Sequence, residues 1–239
     1  MANPTAAMLV IGDEILSGRT RDANTHHLAG ELARVGIDLR ETRIISDDET
    51  AIIAAVQALS ATYQHLFTSG GIGPTHDDIT ADAVAFAMGV SIDIRDDARA
   101  VLQDYYDRSG QELNAARLRM ARIPEGASLI DNPVSAAPGF TIGNVHVMAG
   151  VPRIFEAMVA SVLPSLTGGS PLMTQSLDVH RGEGDVAEQL AELAAQFPDL
   201  SFGSYPYQRD GAHGTNIVVR GADGVLVDKA MTQLARIFG

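Results

Sequence analysis

HLFTSGGIGPTHDDITADAVAFAMG, residues 65–89, separates into a strand, a loop and a helix. Residues 65–70 form a short apolar run closed by glycine, the pattern of a buried parallel strand. Residues 77–89 predict a helix, with Asp77 and Asp78 in its first turn and Gly89 as its stop. The stretch between them is glycine-rich and longer than the roughly two or three residues a simple βα turn requires. Glycines allow close approach of a backbone to a ligand, and the unpaired N–H groups of a helix start attract anions.

The same alternation runs through the first two thirds of the chain. Residues 6–12 (AAMLVIG) predict another buried strand, and 23–36 a helix with Leu28, Leu32 and Val35 on one face. A strand over 37–45 and a helix over 47–63 follow. Strands alternating with helices of about a dozen residues imply right-handed βαβ crossovers in a parallel sheet. Further on come helices at 96–110 and 114–124, a turn-rich loop at 131–140, a strand at 144–150 and a helix at 152–166. The segment TGGSP (167–171) is a linker. Beyond it the order becomes strand (172–180), helix (184–196), two strands (201–207 and 214–221) and helix (225–238). Two domains are therefore expected: 1–167, and a small α+β module of β-α-β-β-α order at 172–239.

Composition narrows the function. A net charge of −13 over 239 residues argues against a surface that neutralises nucleic-acid phosphates or sits on an anionic membrane. Absence of cysteine excludes disulfides and thiolate metal sites. The N-terminus lacks the basic, apolar order of a signal peptide, and no run approaches the ~20 apolar residues of a membrane span. A cytoplasmic protein with a small-molecule ligand, and with neither nucleic-acid nor membrane partners, is expected. An anionic ligand would have to be held by backbone N–H groups, a metal ion or a few arginines.

Three acidic strand-to-helix junctions fall on one predicted sheet edge, where open parallel sheets bind ligands. The first, IGDEILSGRTRDANT (11–25), holds Asp13 and Glu14 at a strand end and Asp22 and Asn24 before a helix, where either could be an N-cap. The second, ISDDETA (45–51), offers Asp47 as an N-cap with Asp48 and Glu49 in the first turn. The third is the loop of residues 68–80. Such carboxylates repel one another unless a cation, an arginine or a proton intervenes, and beside a phosphate cradle they suit Mg²⁺. His76 is a candidate by position alone. Arg117, Arg119 and Arg122 read as a solvated helix face, and Arg153 as a group that could reach a phosphate.

The motifs IGDEILSG, DANT, TSGGIGPTHDDIT, NPVSAAPGF and AGVPRIF resemble the molybdopterin-binding (MoaB/Mog-like) domain family. Within it they are most similar to the branch of the CinA N-terminal part and the FAD synthase N-terminal domain. Residues 172–239 resemble the KH-like module of CinA. The resemblance implies a three-layer α/β/α fold with a mostly parallel central sheet. It also implies a metal-dependent pyrophosphatase that releases AMP from ADP-ribose or FAD. Carried over by motif, Asp78, Asp47, Asp13 and Asp77 are catalytic candidates, with Asp13 and Asp78 on the metal. Gly70, Gly71, Gly73, Thr75 and Ser69 fall to the phosphates, and Glu14, Asn24, Asn132 and Arg153 to the rest of the ligand. The implied cofactor is a divalent cation (Mg²⁺, Mn²⁺ or Co²⁺) with K⁺ as a companion ion, and the implied assembly a homo-oligomer, dimer or trimer. Two alternatives stand beside this: molybdopterin binding or adenylylation, and a non-catalytic ligand-binding domain. The chain departs from the family pattern at Ala149 and Ile154, losing a proline and a carboxylate, and at Ala136, losing a hydroxyl.

Overall fold

The computed structural model describes residues 3–209 and 211–239 and divides into two compact units, Met1–Gly169 and Ser170–Gly239. The first unit opens with β1 (Thr5–Ile11), α1 (Asp13–Leu16), α2 (Asn24–Arg34), β2 (Asp38–Ile45), α3 (Glu49–Thr62) and β3 (His65–Ser69). It continues with α4 (Thr80–Met88), β4 (Ile92–Ile94), α5 (Asp96–Ser109), α6 (Ala115–Leu118), β5 (Arg122–Pro124), β6 (Ser128–Ile130), β7 (Gly139–Ile142), β8 (Val145–Met148) and α7 (Pro152–Val162). The second unit holds β9 (Met173–Val179), α8 (Glu183–Gln196), β10 (Ser201–Arg209), β11 (Ala212–Gly221) and α9 (Gly224–Phe238).

The central sheet has the order β2-β1-β3-β8-β7-β6. Strands β2, β1, β3 and β8 are mutually parallel, while β7 and β6 run antiparallel at one side. Its inner strands are buried on both faces and largely apolar, with Thr68, Ser69 and His146 as buried polar exceptions. On β1, Ala7, Leu9 and Ile11 enter one core with Ile52, Val56 and Leu59 of α3 and Leu102 of α5. The alternate residues Ala6, Met8 and Val10 enter the other, against Leu28 and Leu32 of α2 and Phe155, Met158 and Val159 of α7. The result is the expected three-layer α/β/α arrangement.

From β1 the chain crosses to β2 on one side and returns by α3 to β3 on the other. The carboxyl ends of β1 and β3 therefore flank a topological switch point, where such sheets open a crevice.

Several expected boundaries shift. Helix α4 begins at Thr80 and not at residue 77, because Asp78 folds back on its own loop. The expected helix at 114–124 is one turn of α6 and a 3-10 turn (Arg119–Ala121), after which Arg122–Pro124 pairs with β4 instead. The expected loop at 131–140 gives way at Gly139 to β7, where an added Cβ would stand 2.4 Å from the Val147 carbonyl oxygen. Glycine alone lets β7 lie that close.

In the second unit, β11 pairs antiparallel with both β10 and β9. Val186, Leu190 and Leu193 of α8 and Val227, Leu234 and Phe238 of α9 pack with Ile217 and Val219 into its own core. This is the expected β-α-β-β-α module.

Candidate active site

A cleft of about 570 Å³ opens at the carboxyl ends of the parallel strands, within the size range of small-molecule sites. Its floor consists of backbones that meet without side chains. Gly70 (φ 110°) and Gly71 (φ 68°) are left-handed. A Cβ on Gly70 would lie 2.2 Å from the Ile11 carbonyl oxygen, and one on Gly150 3.2 Å from the Gly70 Cα. The ends of β1, β3 and β8 thus converge on one point. Gly70 belongs to that floor and not to a cradle, since its N–H donates to the Met148 carbonyl at 3.1 Å. The N–H groups of Gly71, Ile72 and Gly73, all lining the cleft, donate to no other described residue.

The loop beyond is held by its own side chains. Asp78 accepts from the Thr75 N–H at 2.8 Å and from the Thr75 hydroxyl at 2.5 Å. Thr80 N–H donates to the Gly71 carbonyl at 3.0 Å, closing the loop on α4. Thr75 is therefore engaged with Asp78, outside the cleft wall. Asp77 is held below the usual carboxylate range, first by the Thr75 hydroxyl and then by its own N–H. That hydroxyl has one proton, and the 2.5 Å geometry gives it mainly to Asp78. His76 is fully exposed and meets only Asp77, at 3.8 Å.

Behind this loop stands Arg119. Its guanidinium donates to the Asp78 carbonyl at 3.4 Å, while its Nε is buried without a partner. Arg122 forks onto Asp82 at 2.5 and 2.8 Å, and Arg117 lies over the Tyr106 ring at 4.5 Å. The three arginines are thus not a solvated helix face. The helix that would have aligned them ends at Leu118.

Asp47 does not cap α3; Asp48 does, accepting from the Ala51 N–H at 2.8 Å. Asp47 turns to the neighbouring strand end and accepts from the Asp13 N–H at 2.9 Å. Burial raises its pKa above the usual carboxylate value, and the Asp13 N–H bond partly offsets this. The charges of Asp13, Glu14 and Asp77 raise it further. Glu14, Asp47, Asp77 and Asp78 line the cleft together; Asp13 is exposed, outside the lining, and contributes its N–H and its charge.

Asn24 is a buried tie and not an N-cap. Asp22 caps α2, accepting from the Asn24 and Thr25 N–H groups at 3.0 and 3.2 Å. The Asn24 amide donates to Ser69 Oγ at 2.7 Å and to the Gly150 carbonyl at 2.8 Å, joining the ends of β3 and β8. Its Oδ1 is buried without a partner, beside a cavity of about 50 Å³ also lined by Glu14, Thr20 and Asp22.

Asn132 organises the loop before β7. Its amide donates to Ser135 Oγ and the Ala137 carbonyl, and its Oδ1 accepts from the Val134 and Ser135 N–H groups. Of the three departures, Ala149 and Ile154 line the cleft, whereas Ala136 (φ 63°) does not. Arg153 is exposed and outside the lining; among the described residues, the one cation that lines the cleft is Arg19. Arg19 and Ile72 fall within the stretches 11–25 and 68–80, yet the sequence assigns neither a role, because neither residue type by itself indicates a ligand contact. Among the described residues, no three His, Asp or Glu side chains gather so as to hold a metal by themselves.

Fold and cleft together define an α/β domain with a cleft of small-molecule size at a switch point between parallel strands. The chain belongs to the family described as "Probable molybdopterin binding domain", whose model matches residues 7–168. Residues 171–238 match the family model "FAD synthase, middle domain". The chain is 32% identical over 258 residues to a "Probable FAD synthase" of Caenorhabditis elegans, covering 98% of this chain and 50% of that protein. It is 38% identical over 167 residues to a "CinA-like protein" of Citrifermentans bemidjiense, covering 68% of this chain and 40% of that one. The chain therefore spans about half the length of these curated relatives, or less. A solved structure, titled as the protein CinA with unknown function from Thermoplasma acidophilum, superposes with a TM-score of 0.62 at 32% identity. It covers 68% of this chain and 97% of its own. Among the described residues, no helix is long and apolar enough to cross a membrane.

Proposed function

We propose that the chain is an enzyme acting on nucleotides, and that its cleft hydrolyses the P–O–P linkage of ADP-ribose or FAD with a divalent cation. The observation that carries this is the pairing of two walls. One presents the unbonded N–H groups of Gly71, Ile72 and Gly73; the other presents Glu14, Asp47, Asp77 and Asp78. Backbone N–H groups in a concave loop suit phosphate oxygens. Four carboxylates around the same space repel a bare phosphate, so a cation belongs between them.

The residues fit such an ion. The anionic donors in the lining, Glu14, Asp47, Asp77 and Asp78, all offer hard oxygens. Mg²⁺ is commonly held by one or two carboxylates completed by substrate phosphates and water, so three convergent protein ligands are not required. Glu14 and Asp78 would hold it, Glu14 in the position that the motif gives to the exposed Asp13. When bound, the ion supplies charge neutralisation on the phosphoryl oxygens and lowers the pKa of a bound water.

The chain's own part follows from its geometry. Gly71–Gly73 orient the diphosphate. Asp47, which lines the cleft and is oriented by the Asp13 N–H, takes a proton from the attacking water. The new P–O bond forms as the bridging P–O bond breaks, giving AMP and ribose 5-phosphate, or AMP and FMN. The names of the relatives, FAD synthase and CinA-like protein, support a nucleotide ligand. A second reading, molybdopterin binding, rests on the family description and on the apolar Ala149 and Ile154 in the wall.

The test is chromatography of AMP after incubating metal-stripped protein with ADP-ribose or FAD and added Mg²⁺, Mn²⁺ or Co²⁺. Metal-dependent AMP that falls about 10²–10⁴-fold in Asp47→Asn supports the reading. No AMP with any metal sinks it, and undiminished AMP in Asp47→Asn removes Asp47 from the proton-transfer role.

A further inference from the structure

Arg19 stands out in a cleft otherwise walled by acid. It lines the same cleft as Glu14, Asp47, Asp77 and Asp78, yet it forms no ion pair and no hydrogen bond with any described residue. Arg34, Arg43, Arg95 and Arg122 of the first unit pair with carboxylates, whereas Arg21, Arg99 and Arg153, like Arg19, form no ion pair with a described residue but lie outside the cleft lining. What distinguishes Arg19 is that it faces the cleft, provided that its backbone is fixed there.

The backbone here does hold it. Ser17 N–H donates to the Asp13 carbonyl at 2.9 Å, Gly18 N–H to Ile15 at 3.1 Å, and Thr20 N–H to Glu14 at 2.9 Å. Gly18, at φ 72°, reverses the chain between them. Arg19 therefore sits at the apex of a closed turn, with pinned neighbours on both sides and its own head group exposed at the cleft. A planar guanidinium with five donors matches two phosphate oxygens at once, and it costs less to commit when no internal pair must first be broken.

We propose that Arg19 binds one phosphate of the diphosphate and sets the preference of the cleft for nucleoside diphosphates over monophosphates. This rests on the nucleotide reading above. One phosphate is then served by Gly71–Gly73 and the carboxylate-bound cation, and the other by Arg19 from the β1–α2 connection. A monophosphate can occupy only one of these places, so the second is the discriminating one.

The experiment is calorimetric titration of ADP, AMP and adenosine, with Mg²⁺ present, into the full chain and into Arg19→Gln and Arg19→Lys. Removing a charge-assisted bidentate contact is expected to weaken ADP about ten- to a hundredfold in Arg19→Gln. AMP should change less than threefold and adenosine not at all, and Arg19→Lys should recover part of the ADP loss. The salt dependence of ADP binding should also become shallower in Arg19→Gln, because one phosphate contact is gone. Unfolding midpoints of the variants should match the parent, since Arg19 makes no internal contact. Equal ADP affinity in parent and Arg19→Gln, or an equal loss for adenosine, overturns the assignment while leaving the nucleotide reading intact. A parent chain that binds none of the three ligands overturns both.

Discussion

His146 makes the first unit's stability depend on pH in a window that can be calculated. The side chain is 3% exposed, on β8, between Thr141 Oγ1 at 3.0 Å and His65 Nδ1 at 3.2 Å. Burial, and then the neighbouring His65, lower its pKa from 6.5 to about 4. A depressed histidine pKa means that the unfolded chain binds the proton more readily. The associated stability is therefore full above pH 6.5 and is lost as pH falls towards 4. From the two pKa values the loss is about 2 kcal/mol at pH 5 and about 3 kcal/mol at pH 4. His65 is lowered as well, by burial, and adds to the loss in the same direction. Urea unfolding at pH 7.5, 6, 5 and 4 reads the slope, and His146→Asn isolates it from the carboxylates that titrate nearby. The parent should lose about 3 kcal/mol more than His146→Asn between pH 7.5 and 4. Equal losses would show that His146 accepts its proton within the folded state. The pair sits on β3 and β8, the strands whose other ends supply Gly70 and Gly150.

Gly70→Ala should cost more than about 3 kcal/mol, because the strained φ adds to a backbone clash with Ile11. Gly18→Ala, equally left-handed but with open space around it, should cost only about 1 kcal/mol, and similar midpoints for the two in thermal unfolding would refute the convergence of strand ends. Asn24→Ala should lose about 2–4 kcal/mol by chemical denaturation, since the buried tie between Ser69 and Gly150 goes and a carbonyl is left unpaired. A loss below about 0.5 kcal/mol would mean that water replaces the amide at no cost.

The parallel part of the sheet was legible because its strands are buried on both faces, so β1 and β3 stand out as short apolar runs closed by glycine. Strand β7 was not. Its four residues follow a turn-rich run and are too few to show a period, and its start at Gly139 is dictated by a close approach to β8 that no local pattern records. Helix α4 was placed three residues early for a related reason. Two aspartates before an apolar run look like a helix's first turn, but Asp78 bonds back to Thr75 and the turn chemistry wins.

At the site, the acidic junctions and the glycine loop could be read from residue type and spacing, whereas their division of labour could not. Asp47 and Asp48 differ by one position, yet one caps a helix and the other meets the Asp13 N–H. That choice depends on how β1 and β2 end side by side. Arg19 is silent for the same reason: its meaning comes from sharing a cleft with four carboxylates, and these lie on three separate strand-to-helix junctions.

Hydrolysis at this cleft is tested most directly by the fate of solvent oxygen. ADP-ribose is turned over with Mg²⁺ in ¹⁸O-labelled water, and the masses of AMP and ribose 5-phosphate are recorded. One labelled oxygen per turnover, carried by the phosphate of one product, is the predicted result. Absence of label from both AMP and ribose 5-phosphate, or no AMP from a chain that binds ADP-ribose, would contradict hydrolysis and point to transfer or to binding alone.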